Sequence, residues 1–291
     1  SGASGLDRVV VLGAAPVGRT PLSNPATYTG IFEEIRELFA RTPEARTRGF
    51  SPGRFSPFAP GGRCEGCRGR GSTRVPMEFL PDVWLPCEEC GGRRFDEETL
   101  SVRLQGRTIA EVLDLEVGPA REFFAHAPRI RGVLDALDFL GLGYLRLGQS
   151  APTLSGGESQ RVRLAAALAG AVTRPEPSEE GVPAEEPTLA GEAGRRLFLL
   201  DEPTVGLHMV DLVPLLAGLR RLVEGGDTVL LVEHHPEVLA RADHLIELGP
   251  GAGEEGGRIV FCGTPAAIRT ERSSVTGRVL RERGGRAGRA G

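Results

Sequence analysis

Leu154-Ser155-Gly156-Gly157-Glu158-Ser159-Gln160-Arg161 runs without a break into Val162-Arg163-Leu164-Ala165-Ala166-Ala167-Leu168. Ser155 and Glu158 have the S-x-x-E spacing of a capping box, in which the serine oxygen takes the N3 amide and the glutamate reaches back to the cap amide. Gly156 and Gly157 fall in the first turn, where they cost helix propensity but leave the backbone amides bare to an approaching phosphate. Two readings stand side by side: a capped surface helix, or a helix start that receives an anion. The flanking chain decides between them.

Downstream, Leu197-Phe198-Leu199-Leu200 is an unbroken apolar run that predicts a buried parallel strand, with Asp201 and Glu202 at its carboxyl end before Pro203. Ligands of open α/β sheets gather at such strand ends. Neighbouring residues on a continuing strand face opposite sides, so this pair serves one site only if the strand stops there. One carboxylate then suits Mg2+ through oxygen ligands, and the next suits orienting or deprotonating an attacking water. A second strand, Thr228-Val229-Leu230-Leu231-Val232, delivers Glu233-His234, where His234 is placed to hydrogen-bond a terminal phosphate. Each feature alone also fits a surface turn. The order glycine-paired helix start, strand-DE-Pro, strand-EH is more specific.

All 35 basic residues of the 291 are arginine, so the chain contains no G-x-x-x-x-G-K-[ST] phosphate loop. The formal charge of -4 excludes a globally basic nucleic-acid binder and leaves that role to local patches. No run of 18 apolar residues suggests a membrane span. Ser1-Gly2-Ala3-Ser4-Gly5 lacks an initiator methionine and an apolar leader, which gives the expectation of a cytoplasmic fragment.

Cys64-x2-Cys67 and Cys87-x2-Cys90 match the spacing of a closed, structural four-thiolate zinc site, with glycines after each pair. Between them, Arg74 to Leu85 reads as a hairpin or two extended arms, with Pro76 and Pro81 barring a central strand. Arg63, Arg68, Arg70 and Arg74 crowd the first arm, and Trp84 is the sole tryptophan. Arginines beside an aromatic suit a DNA contact surface carried by Arg68, Arg70 and Arg74. They equally suit a solvated face with Trp84 as local core.

Arg8 to Leu12 reads as a buried strand, Ile31 to Phe39 as a helix stopped at Thr42-Pro43, and Arg46 to Gly62 as an ordered loop or linker. Helical patterns surround Ile109 to Leu113 and Ile130 to Leu140. Residues 173–194 carry six glutamates against one arginine and read as a disordered acidic insertion. Two closing strands are expected at Asp243 to Pro250 and Gly257 to Pro265, with Cys262 in the core. The tail from Arg269, with seven arginines and two glutamates, reads as disordered.

Taken together, these residues resemble the ATP-binding-cassette ATPases. Leu154 to Glu158 is similar to the signature motif, Leu197 to Glu202 to the Walker B strand, Thr204 to His208 to the D-loop region, and His234 to the switch histidine. Pro16 to Pro21, Ser23 to Gly30, the four-cysteine module with Phe79-Leu80-Pro81-Asp82-Val83, Gly141 to Tyr144, and Asp201 to His208 narrow the resemblance to the carboxy-terminal half of the UvrA family, the damage-sensing subunits of bacterial nucleotide excision repair. The resemblance implies an α/β fold: an ABC-type ATPase lobe with a mixed or parallel sheet, a helical signature region and an inserted zinc module. Its implied parts are a partial nucleotide-binding domain and loop (1–60), the zinc module (61–98), helical support (99–148), the signature helix (149–172), the acidic insertion (173–194), the ATPase lobe (195–268) and the basic tail (269–291).

The resemblance further implies ATP, Mg2+ and Zn2+ as cofactors. Glu202 and His234 would be catalytic; Ser155, Gly156, Gly157, Glu158 and Asp201 would bind nucleotide and its metal; Cys64, Cys67, Cys87 and Cys90 would hold zinc. Damaged double-stranded DNA and a UvrB-like protein would be partners, with a homodimer as the full-length form and no membrane. The signature residues would cap a γ-phosphate held by a different nucleotide-binding domain. The chain departs from the family where Gly13-Ala14 stands in place of the usual Asp-Gln, where Leu22 replaces an arginine, and in having no Walker A loop. A non-catalytic zinc- and DNA-binding paralogue and a UvrA-like drug-resistance protein are the alternatives.

Overall fold

The computed structural model describes residues 5–12, 17–18, 20–77, 83–170, 195–205, 207, 209–251 and 256–287. Expectations for Gly13-Ala14, Phe79 to Asp82, the acidic stretch 173–194, Gly206 and His208 lie outside these residues. The chain divides into two units, Ser1–Leu200 with Gly206–Leu230, and Asp201–Val205 with Leu231–Gly291.

In the first unit, strand β1 (Arg8–Leu12) is followed by helices α1 (Pro25–Tyr28), α2 (Ile31–Ala40) and α3 (Pro43–Thr47). Asn24 caps α1 through a capping box with Thr27, and Thr42 caps α3. The α2 stripe Ile31, Phe32, Ile35 and Phe39 is buried, as the i, i+4 spacing dictates. The stretch after α3 is ordered by its aromatics: Phe55 is fully buried, its ring 5.4 Å from Phe39 and 6.4 Å from Phe50.

The antiparallel hairpin β2 (Ser72–Val75) and β3 (Val83–Pro86) then precedes α4 (Glu97–Ser101), α5 (Ile109–Leu113), α6 (Val117–Phe123), α7 (Pro128–Phe139) and α8 (Gly156–Leu168). The two helical patterns expected here are α5 and α7. Ile130, Val133, Leu134 and Leu137 of α7 lie in the core with Leu140, Leu142, Leu145 and Leu147 from the loop that follows. Each such side chain contributes about 1.5–3 kcal/mol of burial. Gly141 terminates α7 at φ 74°.

Strand β4 (Arg196–Asp201), helix α9 (Met209–Glu224) and strand β5 (Thr228–Val232) follow. Leu212, Leu215, Leu219 and Leu222 form the buried stripe of α9. The sheet order is β1-β4-β5, and β1 runs parallel to β4 with Val10 opposite Phe198. Two burial expectations need correction. In β1 only Leu12 is buried, and Val11 is 65 % exposed. In β4, Phe198 and Leu200 are buried, whereas Leu197 and Leu199 are half-buried. Strand residues alternate between faces, and among the described residues only one face of this sheet is well covered.

The second unit holds α10 (Pro236–Arg241), the antiparallel pair β6 (Leu245–Gly249) and β7 (Arg258–Gly263), α11 (Pro265–Ile268) and α12 (Val275–Ala287). The two closing strands are where they were expected. Within the tail, expected to be disordered from Arg269, Val275–Ala287 forms α12, and residues 288–291 lie outside the described residues. Leu280 packs with Leu245 and Ile268, and the Thr276 amide donates to Glu247 Oε1 at 2.8 Å, so the helix has a core contact and a start that its arginine-rich composition conceals. Cys262, expected in the core, is exposed on β7 with its Sγ 3.3 Å from His244 Nε2.

Candidate functional site

The capping box at the start of α8 is formed in both directions. Ser155 Oγ accepts the Glu158 amide at 3.2 Å, and Glu158 Oε2 accepts the Ser155 amide at 2.7 Å. The first-turn amides of Gly156 and Gly157 have no carbonyl four residues back in the helix to serve. Tyr144 donates its hydroxyl to the other Glu158 oxygen at 2.7 Å. Burial pushes Glu158 up, but the hydrogen bonds from Tyr144 and Ser155 outweigh it and leave the carboxyl below its usual range. Burial and the neighbouring Glu158 push Tyr144 up to about 12, so the phenol keeps its proton. The helix is anchored behind this turn. Gln160 Nε2 donates to the Leu12 carbonyl at 2.9 Å, and Arg161, only 6 % exposed, donates to the Leu140 carbonyl at 3.3 Å.

The second unit carries the acidic pair. β4 ends at Asp201, and Glu202 turns away with φ 43°, a left-handed conformation that a non-glycine residue adopts at a cost of about 1–3 kcal/mol. At Glu202 the chain leaves the strand, so its side chain no longer follows strand alternation. Its amide donates to the Val232 carbonyl at 2.8 Å, and its carbonyl accepts the Val205 amide at 3.1 Å. Glu202 Oε1 lies 3.5 Å from His234 Nδ1, and both side chains are exposed. The structure therefore brings Glu202 and His234 together, has Asp201 in the same unit, and places Ser155 to Glu158 in the other.

The four cysteines converge. Their Sγ atoms all lie within 4.8 Å of one another, with Cys64 to Cys87 at 3.9 Å and Cys67 to Cys90 at 3.7 Å. A tetrahedron with Zn–S bonds of about 2.3 Å has edges of about 3.8 Å, so the cluster fits such an ion. The Gly71 amide donates to Cys67 Sγ at 3.2 Å and the Arg94 amide to Cys90 Sγ at 3.4 Å, hydrogen bonds that orient the sulfurs and stabilise thiolate charge. As free thiols, Cys64 is pushed up to about 12 and Cys67 is also raised, both chiefly by burial, whereas backbone hydrogen bonding pulls Cys87 down. A bound cation would reverse the burial effect by stabilising thiolates.

UvrABC system protein A of Methanothermobacter thermautotrophicus is 51% identical over 277 residues, which is 95% of this chain and 27% of the relative. The Thermus thermophilus protein is 49% identical over 92% of this chain and 26% of its own length. In structure, UvrA2 from Deinococcus radiodurans superposes with a TM-score of 0.86 at 45% identity, covering 97% of this chain and 32% of that one. The chain belongs to the UvrA family. It spans about a quarter of the length of the curated UvrA relatives it matches. No family model matches it.

Within this UvrA-type chain the arginine arm is only partly assembled as a surface. Arg68 is exposed at φ 51° and Arg70 is half-buried; the Arg74 backbone pairs with Trp84 across the hairpin, and the Arg74 side chain lies outside the described atoms. Trp84 is 45 % exposed, which overturns the alternative of a local core. Arg63 pairs with the exposed Glu65 at 3.1 Å and donates to the Phe58 carbonyl at 3.2 Å. Sequence reasoning gave no role to Tyr144, Gln160, Arg94 or Glu233, which brace the UvrA-type motifs. The first three act across long sequence separations that no local pattern announces. Glu233, adjacent to His234, was the one within reach. No helix of the described residues is long and apolar enough to cross a membrane.

Proposed function

We propose that this chain is the signature, zinc-module and Walker B segment of a DNA-binding UvrA-type ATPase that acts in nucleotide excision repair. The observation that carries the reading is the turn at Glu202, whose φ of 43° takes the carboxylate off the strand and sets it 3.5 Å from His234. A strained residue at a strand end facing a histidine fits water activation better than it fits a surface turn.

In this reading Asp201 holds Mg2+, which supplies charge neutralisation on the phosphates of ATP when bound. Glu202 orients and deprotonates the attacking water, and His234 donates to the terminal phosphate. Ser155, Gly156 and Gly157 offer a hydroxyl and helix-start amides to a γ-phosphate, supported by the capped first turn. Cys64, Cys67, Cys87 and Cys90 hold Zn2+ as a closed structural site. Arg68, Arg70 and Arg74, beside the exposed Trp84, contact damaged duplex DNA. A UvrB-like protein is the partner and a homodimer the working form of the full-length protein.

With no lysine among its residues, this segment relies on a phosphate loop from elsewhere. The isolated chain is expected to bind zinc and not to turn over ATP. Purified chain should carry one zinc per molecule by metal analysis and release no phosphate above background. Steady-state hydrolysis by the chain alone, lost in Glu202→Gln, would overturn the division of labour. The DNA reading is tested by an Arg68→Ala/Arg70→Ala/Arg74→Ala variant, which should keep zinc and bind duplex with a reduced salt slope.

A further inference from the structure

Glu233 stands one residue before His234, and its carboxylate accepts four hydrogen bonds from two different loops. Oε1 takes the Thr204 amide at 3.1 Å and the Thr204 hydroxyl at 2.5 Å. Oε2 takes the amides of His234 at 2.8 Å and His235 at 2.9 Å. One side of the carboxylate thus holds the turn that follows Glu202, and the other holds the backbone that presents His234. Thr204 is buried and Glu233 half-buried. Burial raises the Glu233 pKa, but the Thr204 hydroxyl and the three amides outweigh it, so the group stays an anion and an acceptor.

This arrangement answers a physical need. Glu202 sits at positive φ, and a residue in that region persists only where its surroundings over-determine it. Two backbone bonds hold Glu202 directly, and Glu233 fixes Thr204, two residues on. Glu202 and His234 are both exposed side chains that touch only at 3.5 Å, too loose a contact to set their own separation. Their spacing is set by the backbones that carry them, and both backbones end on Glu233.

We infer that Glu233 is a positioning residue for ATP hydrolysis, clamping the loop after β4 to the loop after β5 so that Glu202 and His234 address one terminal phosphate. The inference rests on the ATPase reading above. It predicts a specific kinetic signature, because the clamp orders groups used in the transition state and both of its oxygens are already taken by Thr204, His234 and His235.

The test uses a full-length UvrA-family protein carrying these residues, with Glu233→Ala, the near-isosteric Glu233→Gln, and Glu202→Gln as reference. Glu233→Ala should lower kcat by about 10-fold or more and leave the KM for ATP within about twofold. Glu233→Gln, which keeps an oxygen for Thr204 but turns a donor toward the two histidine amides, should fall between wild type and Glu233→Ala. Amide exchange in this chain should quicken at Thr204, His234 and His235 in Glu233→Ala. If Glu202→Gln abolishes turnover while folded Glu233→Gln and Glu233→Ala keep wild-type kcat, the clamp is wrong and the ATPase reading stands. If Glu202→Gln leaves turnover unchanged, the ATPase reading itself fails and takes the clamp with it.

Discussion

The Arg94 guanidinium donates a 2.8 Å hydrogen bond to the carbonyl of Gly148, while its own amide points at Cys90 Sγ and its carbonyl accepts the Cys64 amide at 2.9 Å. A single residue, at φ 72°, therefore joins the four-cysteine cluster to the loop that leads into the signature helix. Arg94→Ala should cost about 1.5–3 kcal/mol, the range for hydrogen bonds to charged groups. Chemical denaturation measures the loss. Amide exchange should rise in residues 148–155 as well as around the cysteines, and a change confined to the cysteine module would show that the two regions are not joined.

Metal removal gives a second prediction. A strong chelator should strip the chain of zinc and unfold residues 61–98, since a module of this size has little core beyond its thiolates. Cys64→Ser should leave it unable to hold zinc at the same chelator concentration. Unchanged near-ultraviolet dichroism from Trp84 on chelation would count against the cluster as a structural site.

Gly69 offers a steric test of the same module. At φ 77° a side chain is already strained, and a Cβ there would sit 2.0 Å from the Pro57 carbonyl oxygen. Gly69→Ala should destabilise the zinc-bound chain by more than about 1 kcal/mol, a cost that combines positive φ with the forced displacement of backbone. An unchanged thermal midpoint would contradict the close approach.

The pH dependence follows from Glu158, whose folded pKa lies below its ordinary value near 4.5. A depressed carboxyl contributes stability that is present above the unfolded pKa and is lost as pH falls through the folded one. Urea midpoints should therefore stay level from about pH 7 to about pH 5.5 and decline below about pH 4.5, and Glu158→Gln should shallow that decline. Tyr144→Phe should shallow it in part, because the phenol supplies one of the bonds that hold the carboxylate charged. A decline of the same steepness in Glu158→Gln would remove Glu158 from the account.

Much of this was legible along the chain because the signals are local. The S-x-x-E spacing at Ser155 fixes a helix start, the two C-x2-C pairs fix a cluster, and the apolar runs before Asp201 and Glu233 fix strands. Thr108-x-x-Glu111 carries the same capping signature and caps α5. What stayed hidden depends on partners far away in sequence. Val9 and Val11 share the face of the sheet that the described residues leave uncovered, and no run of valines reveals which face of a strand lacks a covering layer. Within the arginine-rich tail, Val275–Ala287 is helical where Leu280 packs on Leu245 and Ile268. Glu202 turns at positive φ, a strain that residue identity argues against and the surrounding hydrogen bonds impose.

The most direct test of the central claim is steady-state ATP turnover by a full-length UvrA-family protein carrying Glu202→Gln or Ser155→Arg. Each folded, zinc-bound variant should lose about 10²-fold or more in kcat, the loss expected when a general base or a transition-state contact is removed. Wild-type kcat in folded Glu202→Gln would contradict the assignment of this strand end as the hydrolytic centre.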